Sequence, residues 1–263
     1  MPTLEPGHIR QLLGPEGTSL QLEVMESIDS TNQHLLMLAD RGAPHGYCLV
    51  ARNQLDGRGR QGRRWLSGGE GSLTFSLLWR FEGDASRLAG LPLVVSLATT
   101  RALEQLNVDG LSLKWPNDLL RHGRKIAGIL VEISDAQDGS IGAVIGIGLN
   151  LILEEALSDL LQNPATDLRN AEGLAPGRDA VLVAILKTLI PHLQQFSSAG
   201  FVPFQSEWLA RSAHRQRMIR LTLPNQRVEI GECVGLSDDG ALLLRQQGEI
   251  RRFHAGDVSL RMT

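Results

Sequence analysis

The chain has 263 residues, 42% of them apolar, and sets 26 Lys and Arg against 29 Asp and Glu for a formal net charge of −3. That length supports one substantial core plus a small second domain, and the near-balanced charge argues against a protein built around nucleic acid. Two widely separated cysteines, Cys48 and Cys233, exclude a disulfide framework and a CxxC metal site and favour a reducing compartment.

The first twenty residues hold Pro, Gly and Glu in place of a basic start and an apolar run, so no signal peptide is expected. Asp29-Ser30-Thr31-Asn32 precedes Leu35, Leu36 and Leu38. This predicts a helix capped at Ser30 or Thr31 and stopped near Gly42. Residues 47–51 read as a short buried strand, and 73–79 as a second strand bounded by glycines. Residues 85–106 have helical spacing. Residues 111–115 form a short strand broken by Pro116, which has no N–H to donate. Residues 125–133 and 143–150 read as two more strands. A helix over 178–196 is expected to be disturbed at Pro191, with a shorter helix over 201–211. The apolar runs 91–100 and 181–190 are too short to span a bilayer. From Met218 the pattern becomes short alternating strands with turns at Pro224-Asn225, Asp238-Asp239-Gly240 and Gln247-Gly248. The expected class is α+β. A mixed sheet with helices on one face fills residues 1–214, and a small barrel-like β domain fills 215–263.

Two segments carry the chemistry. The first is Gly57-Arg58-Gly59-Arg60-Gln61-Gly62-Arg63-Arg64-Trp65. Arginine forks suit phosphate and carboxylate oxygens, and glycines let the backbone approach a ligand. Such a loop is costly to order, so it is expected to be mobile and to close over a ligand, excluding water. Alone, it reads equally as a solvated basic loop or an RNA contact. The second is Lys114-Trp115-Pro116-Asn117-Asp118. Pro116 stiffens the turn, and Asp118 could hold Mg²⁺ or handle the proton of an incoming amine. The alternative is a turn in which Asn117 and Asp118 merely bond their own backbone.

Lys125 opens a strand and could neutralise charge on phosphoryl oxygens; the plain reading is a strand-end lysine reaching water. Gly128, and Gly146-x-Gly148-x-Asn150, suggest close approach of a ligand or another backbone. Ser30, Thr31 and Asn32 suit a neutral, urea-like head group. No GxxxxGK[ST], GxSxG or HExxH occurs. Any triphosphate chemistry here uses a site other than a P-loop.

GRGRQGRRW, KWPND and RKIAGILVE together resemble the biotin–protein ligase family, from about Ser27 to the C-terminus. The resemblance implies that Ser30, Thr31, Asn32, Gln54, Arg58, Gly59, Arg60 and Lys125 contact biotin, with Gly128 beside them. It implies that Arg63, Trp65, Lys114, Asn117 and Asn150 lie around ATP or the adenylate. Lys125, Asp118 and Arg60 are the catalytic candidates, and Asp118 is also the metal candidate. An SH3-like barrel is implied at the C-terminus, and Leu55-Asp56 departs from the family pattern at the foot of the loop. Ser30 arrives too early for an N-terminal winged helix, so the short enzyme-only form and no operator binding are expected.

The implied reaction is cytoplasmic. MgATP adenylates biotin, and the product passes to a lysine of the biotin carboxyl carrier protein of acetyl-CoA carboxylase. A homodimer paired through sheet edges is left open. Lipoate–protein ligase is the nearest rival. A non-catalytic RNA-binding module lacks aromatic stacking residues beside the arginines. A degenerate ligase is disfavoured by Lys114, Asp118 and Lys125.

Overall fold

A computed structural model describes residues 4–135, 140–154 and 164–260. Seven strands form the main sheet. They are β1 (Gln21–Ile28), β2 (Tyr47–Gln54), β5 (Ser72–Phe81), β6 (Leu111–Lys114), β7 (Asp118–Arg121), β8 (Arg124–Asp135) and β9 (Ile141–Asn150). Between β2 and β5 the arginine-rich segment folds as its own small ribbon, β3 (Gly57–Arg58) against β4 (Arg64–Trp65). The spatial order is β1-β2-β5-β9-β8-β7-β6, with β1 and β2 parallel and the other neighbours antiparallel.

The strand residues alternate between two apolar faces. Cys48, Val50, Leu77, Ala143 and Ile145 enter the main core. There α1 (Pro6–Leu13), α3 (Leu91–Gln105), α4 (Arg178–Ala199) and α5 (Val202–Ala210) pack around them. The intervening Leu49, Leu78 and Val144 meet Leu35 and Ala39 of α2 (Thr31–Asp40) on the opposite face. The long helices thus cover one face, as expected, and one short helix sits on the other. That short helix brings Ser30–Asn32 onto the middle of the sheet.

Two helices differ from the sequence expectation. The helical stretch 85–106 divides into a 3₁₀ turn, Ala85–Leu88, and α3, which starts afresh after Gly90 with Pro92 in its first turn. A proline is tolerated there because the first N–H groups have no helical partner. Conversely, α4 runs unbroken through Pro191. Burial of Leu182, Ile185, Leu186, Leu189 and Leu193 on its core side outweighs one lost backbone bond. At 22 residues α4 is long and apolar enough to cross a membrane, but most of it is buried inside the protein as a core helix.

The C-terminal strands are β10 (Met218–Thr222), β11 (Val228–Leu236), β12 (Leu242–Gln246), β13 (Glu249–Phe253) and β14 (Asp257–Leu260). They form an antiparallel sheet in the order β13-β12-β11-β10-β14. The edge strand β14 is one more than the sequence pattern indicates. This sheet is fastened to the larger unit by Trp115 Nε1 donating to Gly240 O at 3.0 Å and Gln205 Nε2 donating to Leu236 O at 2.8 Å.

Candidate active site

The middle of the sheet, on the α2 side, forms the floor of the site. Here β8 and β9 carry Gly128 paired with Gly148, and Gly146 pairs with Ser76 of β5. The missing side chains are what make room. A Cβ on Gly148 would overlap the Trp65 indole, and one on Gly146 would overlap the Asn32 amide. The close approach expected at these glycines is therefore made by side chains, one from each element above the floor.

The arginine ribbon turns through a 3₁₀ step, Arg60–Gly62, with Gln61 at φ 58° and Gly62 at φ 72°. Gly62 takes that conformation without the Cβ penalty that Gln61 bears. Gly59 N donates to Arg63 O at 2.7 Å, closing the ribbon. At its foot, Asp56 faces Arg64 at 3.5 Å across exposed surface. Trp65 ends the ribbon over the glycine floor, with Lys125 Nζ 5.8 Å from its ring centroid.

The KWPND turn joins β6 to β7, and its Trp115–Pro116 peptide is cis. Asn117 is bound tightly in this turn. Its O accepts from Ile129 N at 2.9 Å, its Nδ2 donates to Ile129 O at 2.9 Å, and its Oδ1 accepts from Arg60 Nη1 at 3.1 Å. Arg60 thus bridges the ribbon to the turn. One residue on, Asp118 Oδ1 lies 2.6 Å from Lys125 Nζ. Lys114 is the cross-strand partner of Asp118, so one carboxylate faces two lysines. The plain reading of Asn117 and Asp118 as bonding only their own turn does not hold, because their side chains reach across to β8 and to the ribbon.

Charge is crowded here. Burial lowers the Lys114 pKa, and Lys125 and Arg63 add to the drop, while Asp118 opposes it. Burial likewise lowers Arg60, against the pull of Asp118. Four cations with one carboxylate make a local positive field that suits a polyanion.

At the other end of the floor, Ser30 Oγ accepts from Gln33 N at 3.4 Å and caps α2. Thr31 N donates to Gln54 Oε1 at 2.9 Å, and Thr31 Oγ1 lies 3.1 Å from the same oxygen. Asn32 Nδ2 donates to Glu132 Oε2 at 2.8 Å and to Leu130 O at 3.3 Å. Ser76 Oγ sits 2.6 Å from Asn32 Oδ1 and 2.8 Å from Thr31 Oγ1. Ser76 and Glu132 were missed by sequence reasoning. The signal for Ser76 was there: a lone serine flanked by apolar residues in LTFSLLW.

Asn150 ends β9 and donates from Nδ2 to Thr166 O at 3.1 Å. Thr166 N donates to Lys125 O at 2.8 Å, which draws residues 164–166 to the edge of the site. Arg58 and Gly59 lie on the ribbon, with Arg58 paired to Arg64. Among the described residues no group of three His, Cys, Asp or Glu side chains is placed to hold a metal ion.

A family model described as "Biotin/lipoate A/B protein ligase family" matches residues 24–150, and one described as "Biotin protein ligase C terminal domain" matches 217–261. The bifunctional ligase/repressor BirA of Escherichia coli K12 is 33% identical over 255 residues, covering 96% of this chain and 77% of that protein. This chain belongs to the biotin protein ligase family. Another relative is the biotin–[acetyl-CoA-carboxylase] ligase of Mycobacterium tuberculosis, 32% identical over 268 residues, covering 98% of this chain and 96% of that one. In structure, a biotin protein ligase from Aquifex aeolicus, solved in complex with biotin and ATP, has a TM-score of 0.77. It is 31% identical, and the match covers 92% of this chain and 99% of that one. As a biotin protein ligase, the chain has its two family segments on the two sheets described above.

Proposed function

We propose that this chain is the ATP-dependent ligase that adenylates biotin and transfers it to a lysine of the biotin carboxyl carrier protein of acetyl-CoA carboxylase. The observation that carries the reading is the convergence of Lys125, Asp118, Lys114, Arg60 and Trp65 beside a glycine floor whose other end holds Ser30, Thr31 and Gln54. A polar pocket for a head group and a cationic pocket for phosphates lie on one surface, as joining a carboxylic acid to a nucleotide requires.

In the first step the biotin carboxylate oxygen attacks the α-phosphorus of ATP. The bond to the pyrophosphate oxygen breaks, giving biotinyl-5′-AMP and pyrophosphate. Lys125 and the arginines of the ribbon neutralise charge gathering on the α-phosphoryl oxygens. In the second step the neutral carrier amine attacks the acyl carbon. The acyl–phosphate C–O bond breaks, AMP leaves, and the amine gives up a proton. Asp118 is the nearest carboxylate in this reading, and its Oδ1 lies 2.6 Å from Lys125 Nζ. Biotin is held by Ser30, Thr31, Asn32, Gln54, Arg58, Gly59, Arg60 and Lys125, with Gly128 giving clearance. The nucleotide lies against Arg63, Trp65, Lys114, Asn117 and Asn150.

Magnesium fits this donor set as a partner of ATP. Mg²⁺ typically takes one or two protein carboxylates and fills its shell with phosphate oxygens and water. Among the described residues Asp118 is the one carboxylate at the cationic end of the site, so it is the protein group that would hold the ion. There the ion would supply neutralisation of the phosphates. Residues 1–214 carry both small-molecule sites in this reading, and 215–263 form the small β domain. The reading is of a cytoplasmic enzyme, and the edge strand β1 of the main sheet is where a homodimer would pair, because the outer side of β6 is taken by backbone bonds from Leu113 to Arg211 and Ala213.

The test is exchange of labelled pyrophosphate into ATP by the purified chain with Mg²⁺, with biotin and lipoate in parallel. Exchange with biotin alone is expected. Exchange with lipoate alone would move the substrate to the rival acid, and no exchange with either would sink the ligase reading.

A further inference from the structure

We infer that Ser76 is a positioning residue that makes Thr31 a hydrogen-bond acceptor toward the substrate, and so selects a ring bearing an N–H. The inference rests on the reading that biotin's ureido head binds beside Thr31.

The argument is a proton count. Asn32 Nδ2 faces Leu130 O and Glu132 Oε2, neither of which can donate. That fixes the amide: its oxygen, not its nitrogen, faces Ser76. An amide oxygen only accepts, so the single hydroxyl proton of Ser76 is spent on Asn32 Oδ1 at 2.6 Å. Thr31 Oγ1 stands 2.8 Å from Ser76 Oγ. Two hydroxyl oxygens at that separation with no proton between them would repel. Thr31 must therefore donate to Ser76. The competing acceptor, Gln54 Oε1, is farther at 3.1 Å and already receives the Thr31 backbone N–H at 2.9 Å.

The chain of donors thus runs from Thr31 to Ser76 to Asn32. It is buried throughout, with Ser76 fully inaccessible and Thr31 and Asn32 nearly so. Burial matters because it keeps solvent from supplying an alternative partner. Thr31 Oγ1 has spent its proton inward, so what it offers a ligand is a lone pair. Gln54 is turned the other way: its Oε1 is held by Thr31, and its Nε2, a donor, lies beside Gly57. One acceptor and one donor side by side match the N–H and C=O of a cyclic urea. A dithiolane ring has neither.

Gly146, directly across the strands from Ser76, is part of the same device. A Cβ at Gly146 would displace the Asn32 amide. Asn32 has both its N–H bonds engaged within the protein, so it braces the relay and does not itself donate to the head group.

The experiment compares the unaltered chain with Ser76→Ala in pyrophosphate exchange. The acids are biotin and its two carbamate analogues, each with one ring N–H replaced by oxygen. The unaltered chain should reject the analogue whose oxygen faces the Thr31 lone pair. In Ser76→Ala the Thr31 hydroxyl keeps only the longer acceptor, Gln54 Oε1 at 3.1 Å, and can turn to donate to that oxygen instead. The KM for biotin should rise about tenfold, as for loss of one buried hydrogen bond. The preference for biotin over that analogue should fall by about the same factor, with the KM for ATP unchanged. Equal weakening of biotin and both analogues would overturn the inference and leave Ser76 as packing alone. Ser76→Cys, nearly the same size with a weaker donor, should lie between the two, and it serves for the comparison if the alanine variant fails to fold. No biotin-dependent exchange by the unaltered chain would instead overturn the ligase reading itself.

Discussion

Lys125 Nζ lies 2.6 Å from Asp118 Oδ1, and the same ammonium sits 5.8 Å from the Trp65 ring. One cation thus joins the KWPND turn to the end of the arginine ribbon. Each of the two family-typical segments is held partly by the other.

Removing that ammonium should strike chemistry far harder than folding. The pair is partly open to solvent, so Lys125→Ala should cost at most about 1 kcal/mol of stability. Adenylate formation should fall by at least about a hundredfold, as for removal of a preorganised electrostatic group. Single-turnover formation of biotinyl-5′-AMP, with a thermal melt alongside, separates the two effects. Unaltered turnover would take Lys125 out of the step.

Arg60 gives a prediction about residence time. Its bond to Asn117 Oδ1 at 3.1 Å ties the ribbon to the turn across the site. Arg60→Ala should release biotinyl-5′-AMP faster, by about tenfold for one hydrogen bond to a charged group. A stopped-flow chase with unlabelled adenylate reads the rate directly. An unchanged rate would mean that the ribbon does not act as a lid.

Gly148 tests the floor. A methyl there meets the Trp65 indole, and the ring cannot stay where it is. Gly148→Ala should shift the tryptophan fluorescence and weaken ATP binding, with an overpacking cost of about 1–3 kcal/mol. Adding Trp65→Ala should recover the stability but not the ATP affinity. Recovery of both would show that Trp65 makes no nucleotide contact.

His214 predicts an acid limit to stability. It is buried, both ring nitrogens lack a hydrogen-bond partner, and burial together with the nearby charge of Lys114 pushes its pKa down to about 4. The unfolded chain binds this proton near pH 6.5 and the folded chain does not until about pH 4. Stability therefore falls as pH drops through that window, by up to about 3 kcal/mol. Urea titrations at pH 7 and pH 4.5 measure the loss. His214→Leu should flatten it, and an equal slope in that variant would assign the loss to other groups.

Most strands were legible because their apolar runs end at glycines and prolines, and those breaks are local chemistry. Residues 73–79 and 143–150 extended by only a residue or two at either end. The split of 85–106 and the survival of α4 through Pro191 were not legible in the same way. Whether a proline ends a helix depends on what the helix buries, and that is decided by residues far along the chain. The Ser30 cap was local and so was readable.

By itself, the sequence determined the family and the two segments that typify it, because glycine, arginine, proline and aspartate impose their constraints over a few residues. It could not determine which atoms face each other. Tertiary structure decided that Asp118 pairs with Lys125, that Trp65 fills the space over Gly148, and that Ser76 stands within hydrogen-bond reach of Thr31. Those contacts join residues between seven and eighty-three positions apart in the numbering. Sheet register brings them together, and register is a property of the whole packed sheet, settled by burial on both of its faces.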